Sequence, residues 1–400
     1  MSTTLSTTLI LQETLAAYRT LFPMLGRMGT QFDAAPLRLN DTVKAHIRTL
    51  PSAADYHATT GYQLSTNSAR TLLTDVPITV DSHKHVPILF EHLNLIKDQK
   101  EVYSGALSDC AYVLGKAMVD SVLAKCKSSN ISYAEADSTA NSDLDLIEAI
   151  TTKMNGNGAM PTGRIGLVNS AVAQTLALDT RVASKDYYGS LTGASGLRVF
   201  RGIGGFESIY EYPDLPSNNA AAQTFTAATT DLCTATAHGF QTGDRVRLTT
   251  TTTLPAGLAA ATTYYVIYVS ANTFKLAASD ALATAGTAVD VTDTGTGTHS
   301  ITGYENVTGL FFEASAIAIR AGIPAQSAEL ANLLGIPQVM AMESLRDPIS
   351  GFALALMKWQ AAGTADLYIS PTAIWGSAVG RQAGAAGAIT DKGACLLRTA

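Results

Sequence analysis

From His238 to Ala277 the chain reads HGFQTGDRVRLTTTTTLPAGLAAATTYYVIYVSANTFKLA. Threonine and alanine dominate this stretch, and its apolar residues alternate instead of recurring every three or four positions. Alternation puts apolar side chains on one face of an extended strand and excludes an amphipathic helix. Val246 and Leu248, interleaved with Arg245 and Arg247, read as a half-buried strand. TTYYVIYV and TFKLA, separated by a short Ser-Ala-Asn link, read as a hairpin. AVDVTD and THSIT supply further strands. Short strands at close spacing with Gly and Asn between them predict a small all-β barrel or sandwich over residues 218–305.

The chain on either side is of a different kind. TLILQETLAAYRTLF carries Leu11, Leu15, Tyr18 and Phe22 at helical spacing, and Pro23 and Gly26 end that helix. TQFDAAPLRLNDTVKAHIR reads as a polar linker entering a strand at Val43–Arg48. Residues 49–75 are polar, loop-like and long for a compact domain. Two strand-like runs, DVPITVD and HVPILFEH, each contain a proline, which suits a sheet edge. Over residues 102–125, Leu107, Cys110, Ala111, Leu114, Ala117, Met118 and Val122 form one helical stripe on a rod about 35 Å long. A second helix covers 144–154. Then follow a strand at Ile165–Val168, an N-cap at Ser170 and a helix at Ala171–Leu178. Beyond residue 305, PQVMAMESLRDPISGFALALMKWQ reads as a hairpin around its Asp-Pro-Ile-Ser-Gly turn, and GACLLRT as a closing strand. The organisation is therefore an α+β body, residues 1–217 and 306–400, interrupted by the β-module. Insertion at an exposed loop costs little closure entropy when the two ends stay close.

At 400 residues the chain is longer than one compact core usually requires. Hydrophobic residues make up 46% and charged residues only 15%, so the surface is either plainly neutral or covered by other copies of the chain. The formal net charge is −6 and no basic block occurs, which removes the electrostatic footprint of tight nucleic-acid binding. Cys110, Cys126, Cys233 and Cys395 are scattered and form no CxxC pair, a reduced-compartment pattern. No signal peptide and no apolar run of membrane-spanning length is read, so synthesis in a cytoplasm without membrane association is expected.

Catalytic patterns are sparse. His83, His85 and His92 cluster near Asp81, with His83 and His85 on one strand face; a polar strand end accounts for them better than a metal site does. RGIGGFES lacks the GxGxxG spacing and its strand-to-helix context, so its glycines read as a tight turn. GYQLS and LTGASG contain no nucleophile elbow, and no Walker motif or paired carboxylates appear. No catalytic, cofactor-binding or metal-binding residue is assigned, and no enzymatic activity is expected.

Several stretches carry a family resemblance. VPITVDSHKHVPILFEHLNLI leading into VYSGALSDCAYVLGKAMVDSVLAKC resembles the strands and spine helix of tailed-bacteriophage major capsid proteins of the HK97-like fold, in the branch of the P22-type coat proteins. RVFRGIGGFESIYEYPDLPSN resembles the axial-domain stretch, NVTGLFFEASAIAIRAG the return from it, and GTADLYISPTAIWGSAVGRQ the closing peripheral pattern. The 218–305 module is similar to a small β-module that recurs in phage structural proteins and has been likened to a β-rich half-domain of ubiquitin-activating enzymes. The likeness implies no catalysis by Cys233.

The resemblance implies an N-terminal arm with a first strand (1–48) and an extended loop (49–75). It also implies a peripheral domain (76–134 and 306–400) with a spine helix at 102–125, an axial domain (135–217) and an inserted β-domain (218–305). It further implies a virion protein, assembled in a host cytoplasm as hexamers and pentamers into an icosahedral shell. The β-domain would lie outside and the DNA would be enclosed without sequence-specific binding. A separate scaffolding protein, a portal protein and decoration proteins are the implied partners. Residues 49–75 contain no lysine, so lysine crosslinking from that loop is not expected. Two alternatives stay open. One is an encapsulin-like compartment of the same fold. The other is a host- or glycan-binding surface protein, for which Tyr264, Tyr265 and Tyr268 are contact candidates unless they merely fill or cover the module.

Overall fold

The computed structural model describes residues 12, 14–16, 21–48, 56–59, 61–62, 73–90, 99–131, 133–137, 143–179, 182, 198–215, 222–314, 316–324, 339–346, 353–360, 367–379 and 393–399. The chain forms two compact units. One is Met1–Val122 with Ile317–Ala378, the other Leu123–Ala316 with Val379–Ala400.

The first unit is built on a seven-stranded sheet. Its main path runs β1 (Gly29–Leu37), β19 (Ile317–Pro324), β22 (Leu367–Val379), β21 (Ala353–Gln360) and β20 (Val339–Arg346); β6 (Ser82–His85) and β7 (Ile88–Phe90) also pair with β22. Residues 29–37, expected to be a polar linker, are thus a strand. β1 pairs in parallel with β19, and the register shifts between Phe32 and Pro36. Pairing with a buried partner supplies what the polar pattern of β1 lacks, and the irregularity accommodates a proline that cannot donate. β20 and β21 form the expected antiparallel pair, Met342 opposite Met357. The turn between them lies outside the described residues.

β22 is covered on both sides, with successive Ile374 and Trp375 buried. Gly376 is required there, because a Cβ would stand 2.2 Å from the Thr79 carbonyl oxygen. Helix α1 (Gln99–Leu123) covers most of the helix expected over 102–125. Cys110, Ala111, Leu114, Met118, Val119 and Val122 are its buried stripe. Trp375 Nε1 donates to Ser121 Oγ at 2.7 Å, and that hydroxyl donates to the Met118 carbonyl at 2.8 Å. The buried indole thereby gains its polar partner on α1. Of the expected N-terminal helix, residues 12, 14–16 and 21 are helical. A 3-10 turn at Leu25–Arg27 follows Pro23.

The second unit holds a six-stranded sheet and a closed barrel. The sheet order is β10 (Val199–Arg201), β11 (Ser208–Glu211), β9 (Ile165–Val168), β18 (Val307–Phe312), β23 (Ala394–Thr399) and β8 (Ala134–Asp137). Helices α2 (Asp143–Gly156) and α3 (Ser170–Leu178) belong to the same unit. Ile147, Ile150, Leu176, Phe206 and Phe311 share one buried cluster. The α3 cap is Asn169, whose side chain accepts from the Val172 N–H at 2.9 Å; Ser170, expected as the cap, is the first helical residue. Asparagine and serine are comparable caps, so adjacent candidates were not separable by residue type. Residues 306–316 and 379–400, expected with 76–134, group instead with residues 123–305. The cause is pairing: β18 lies between β9 and β23.

The barrel runs β12 (Gln223–Ala227), β13 (Cys233–Thr234), β16 (Thr273–Ala277), β15 (Thr263–Ser270), β14 (Arg245–Thr250) and β17 (His299–Gly303), then closes on β12. Closure leaves no unpaired edge. Val246, Leu248, Val266, Phe274, Leu276 and Ile301 fill the interior, as the alternation predicts. Two details differ from expectation. AVDVTD forms no strand, although Val291 is buried. A short helix α4 (Asp280–Ala285) precedes it. Its signals were present, a Ser279 side chain accepting from Leu282 N–H and a left-handed Gly286 at the C-cap, but the alanine-rich run masked them.

Candidate functional site

Strands β2 (Thr42–Arg48) and β5 (Leu73–Thr79) pair antiparallel along their whole lengths, Thr42 opposite Thr79 through Arg48 opposite Leu73. Among the described residues this sheet has two strands and no third. At 3.4 Å per residue the ribbon is about 24 Å long. Its base is fixed. Val80 packs with Leu37 and Ile374, Ile78 packs with Ala318, and backbone bonds tie Val80 to Asn40 and Asp41. Beyond the ribbon lies a second small pair, β3 (Tyr56–His57) with β4 (Gly61–Tyr62), in which Tyr56 faces Tyr62 and His57 faces Gly61. Residues 49–55, 60 and 63–72 of the predicted loop lie outside the described residues.

Elsewhere in this unit large apolar side chains stand in solvent. Tyr112 and Val113, on α1, are 49% and 51% exposed, and Leu39 and Leu89 are similarly open. The Tyr112 ring lies 5.8 Å from that of Phe22. The face of α1 opposite its buried stripe is therefore only half polar.

His83 and His85 take separate partners. His83 Nε2 meets Thr372 Oγ1 at 3.2 Å, and His85 stands edge-on to Trp359 with ring centres 6.3 Å apart. Burial, with His85 nearby, holds the His83 imidazole below its ordinary value and keeps it neutral. His92 lies outside the described residues. Among the described residues no group of three His, Cys, Asp or Glu is arranged to hold a metal ion.

The three tyrosines separate. Tyr264 is buried in the barrel core, its hydroxyl accepting from the Ala259 N–H at 2.9 Å. Tyr265 is half-buried, and Tyr268 alone is exposed. All four cysteines are buried, and none forms a disulfide. Burial pushes the thiols of Cys126 and Cys233 up to about 12, so neither serves as a nucleophile at neutral pH. Among the described residues no helix is long and apolar enough to cross a membrane.

Sequence reasoning missed the polar cluster at the barrel's root. Glu305 is buried. Its Oε2 accepts from Ser128 N–H at 2.9 Å and Ser128 Oγ at 2.7 Å, and its Oε1 accepts from Arg245 N–H at 3.0 Å. Lys127 Nζ pairs with Asp244 Oδ2 at 2.7 Å. The one signal available was an acid, Glu305, placed where the β-module ends.

No family model matches the chain, and no curated protein does. Solved structures similar to it include the capsid of cyanophage P-SCSP1u, at 15% identity over 94% of this chain and 86% of that one, with a TM-score of 0.41. Microbacterium phage Oxtober96 gives 10% identity over 94% of this chain and 90% of that one, with a TM-score of 0.42. A virus-like particle from Pyrococcus furiosus gives 6% identity over 97% of both chains, with a TM-score of 0.41.

Proposed function

We propose that this chain is the major capsid protein of a tailed double-stranded DNA bacteriophage and has no catalytic role. Its copies form hexamers and pentamers that close into an icosahedral shell. The observation that carries this reading is the ribbon of β2 and β5, seven residue pairs long and two strands wide. An isolated two-stranded ribbon is marginal in water. One of this length needs a surface to lie on, and a neighbouring copy supplies it. The half-apolar outer face of α1 and the 15% charge content favour the same outcome, because weak contacts repeated by symmetry stabilise a shell. The capsid resemblance of the sequence gives the ribbon its role as the extended loop.

Within this reading the first unit is the peripheral part, and the six-stranded sheet surrounds the local symmetry axes. The barrel is an inserted domain on the outer surface. The net charge of −6 suits a container that encloses DNA without gripping its sequence. A separate scaffolding protein and a portal assist assembly in the host cytoplasm, decoration proteins are further candidates for the outside, and the mature protein resides in the virion. Light scattering and electron microscopy of the purified chain, with scaffolding protein supplied, test the proposal. Rings of five and six subunits or closed shells are expected, and a persistent monomer would overturn it.

A further inference from the structure

The barrel is closed, so no strand of it continues into the six-stranded sheet. The chain leaves that sheet at β11 and re-enters at β18. With only two covalent ties, a closed module would swing unless side chains held it. Glu305, two residues before β18, bridges the two bodies. One carboxylate oxygen takes the backbone and hydroxyl of Ser128, in the loop that follows α1. The other takes the backbone of Arg245, the first residue of barrel strand β14. Arg245 answers with its guanidinium on the Glu305 carbonyl at 3.3 Å, and Tyr304 N–H donates to the Arg245 carbonyl at 2.8 Å. Lys127 and Asp244, the neighbours of Ser128 and Arg245, add an ion pair between the same two segments.

We propose that Glu305 is a latch, a buried carboxylate that fixes the barrel in one attitude on the six-stranded sheet and whose loss frees the barrel as an intact body. The carboxylate suits this work because one oxygen accepts from the loop that leads into β8, an edge strand of the sheet, and the other accepts from the barrel. Removing it strands Ser128 and Arg245 N–H groups together, so the joint opens at both faces at once. Arg398, on β23, is buried nearby and interacts favourably with Glu305 and unfavourably with Arg245. Without the carboxylate the two guanidiniums repel, which adds to the release.

The test uses full-length protein carrying Leu178→Cys on α3 and Thr249→Cys on β14 as spin-label sites. Both positions are exposed, whereas all four native cysteines are buried. Wild-type Glu305 is expected to give one narrow distance distribution between the labels, and Glu305→Ala a distribution at least twice as broad. Glu305→Gln, which keeps an acceptor oxygen, is expected to fall between them. Protection of barrel amides such as Val266 and Leu276 should be unchanged in all three. Should Glu305→Ala fail to fold, Lys127→Ala probes the same joint and should broaden the distribution to a smaller degree. A distribution as narrow as wild type in the variant that folds would overturn the latch, and so would loss of barrel protection in step with the broadening.

Discussion

The barrel and the ribbon are both β-structures, yet they solve opposite problems. The barrel closes six strands on a packed interior of its own that includes Val246, Val266, Phe274 and Ile301. The ribbon pairs two strands, is anchored at its base through Val43, Ile78 and the adjoining Val80, and among the described residues no third strand pairs with it. One region is stabilised by its own burial. Under the proposed function the other is completed by association. A chain that carries both divides its labour between a self-sufficient module and an unfinished surface.

Shortening the ribbon should have the largest effect. Replacing residues 47–74 with a short Gly-Ser turn should leave the subunit's thermal midpoint within a few degrees while abolishing assembly, as read by light scattering. A large fall in the midpoint would mean that the ribbon belongs to the subunit's own core. In the barrel the expectation reverses. Phe274→Ala removes a fully buried ring and should cost about 3–5 kcal/mol, seen in chemical denaturation as early loss of the module. In the first unit Ser121→Ala leaves the buried Trp375 N–H without its acceptor and should cost about 1–3 kcal/mol, detectable by tryptophan fluorescence during unfolding.

Thiol labelling reads how firmly each region stays closed. Cys126 and Cys233, raised to about 12 by burial, should resist alkylation at pH 8 in native protein and react fully only in denaturant. Fast native labelling of Cys233 would mean that the barrel opens.

The smallest expected effect concerns Asp293. Its carboxylate is held below the usual range by the N–H groups of Ala256 and Gly295. A depressed folded value makes the ionised form stabilising above the unfolded value. That contribution fades as pH falls through the folded value. Asp293→Asn should therefore flatten the acid limb of the barrel's melting curve slightly. An unchanged slope would remove Asp293 from that limb.

Much of this architecture was legible in residue order. The barrel's alternation, the stripe of α1, the β20–β21 pair and the strand at Ile165–Val168 are local patterns, and local patterns survive in sequence. What escaped depends on distant pairing. β1 became a strand because β19 lies beside it, and the C-terminal β23 joined the sheet of β18 and β9 through contacts that no window of neighbours contains. The candidate site was legible only as poor self-burial in residues 49–75. Glu305 escaped because its partners, Ser128 and Arg245, are 177 and 60 residues away.

Electron microscopy of the purified full-length chain, with a candidate scaffolding protein supplied, decides whether the ribbon works between subunits. Closed shells are expected in which each ribbon lies across an adjacent subunit and each barrel stands on the outside. Shells in which the ribbon folds back onto its own subunit would contradict it, as would a chain that stays monomeric.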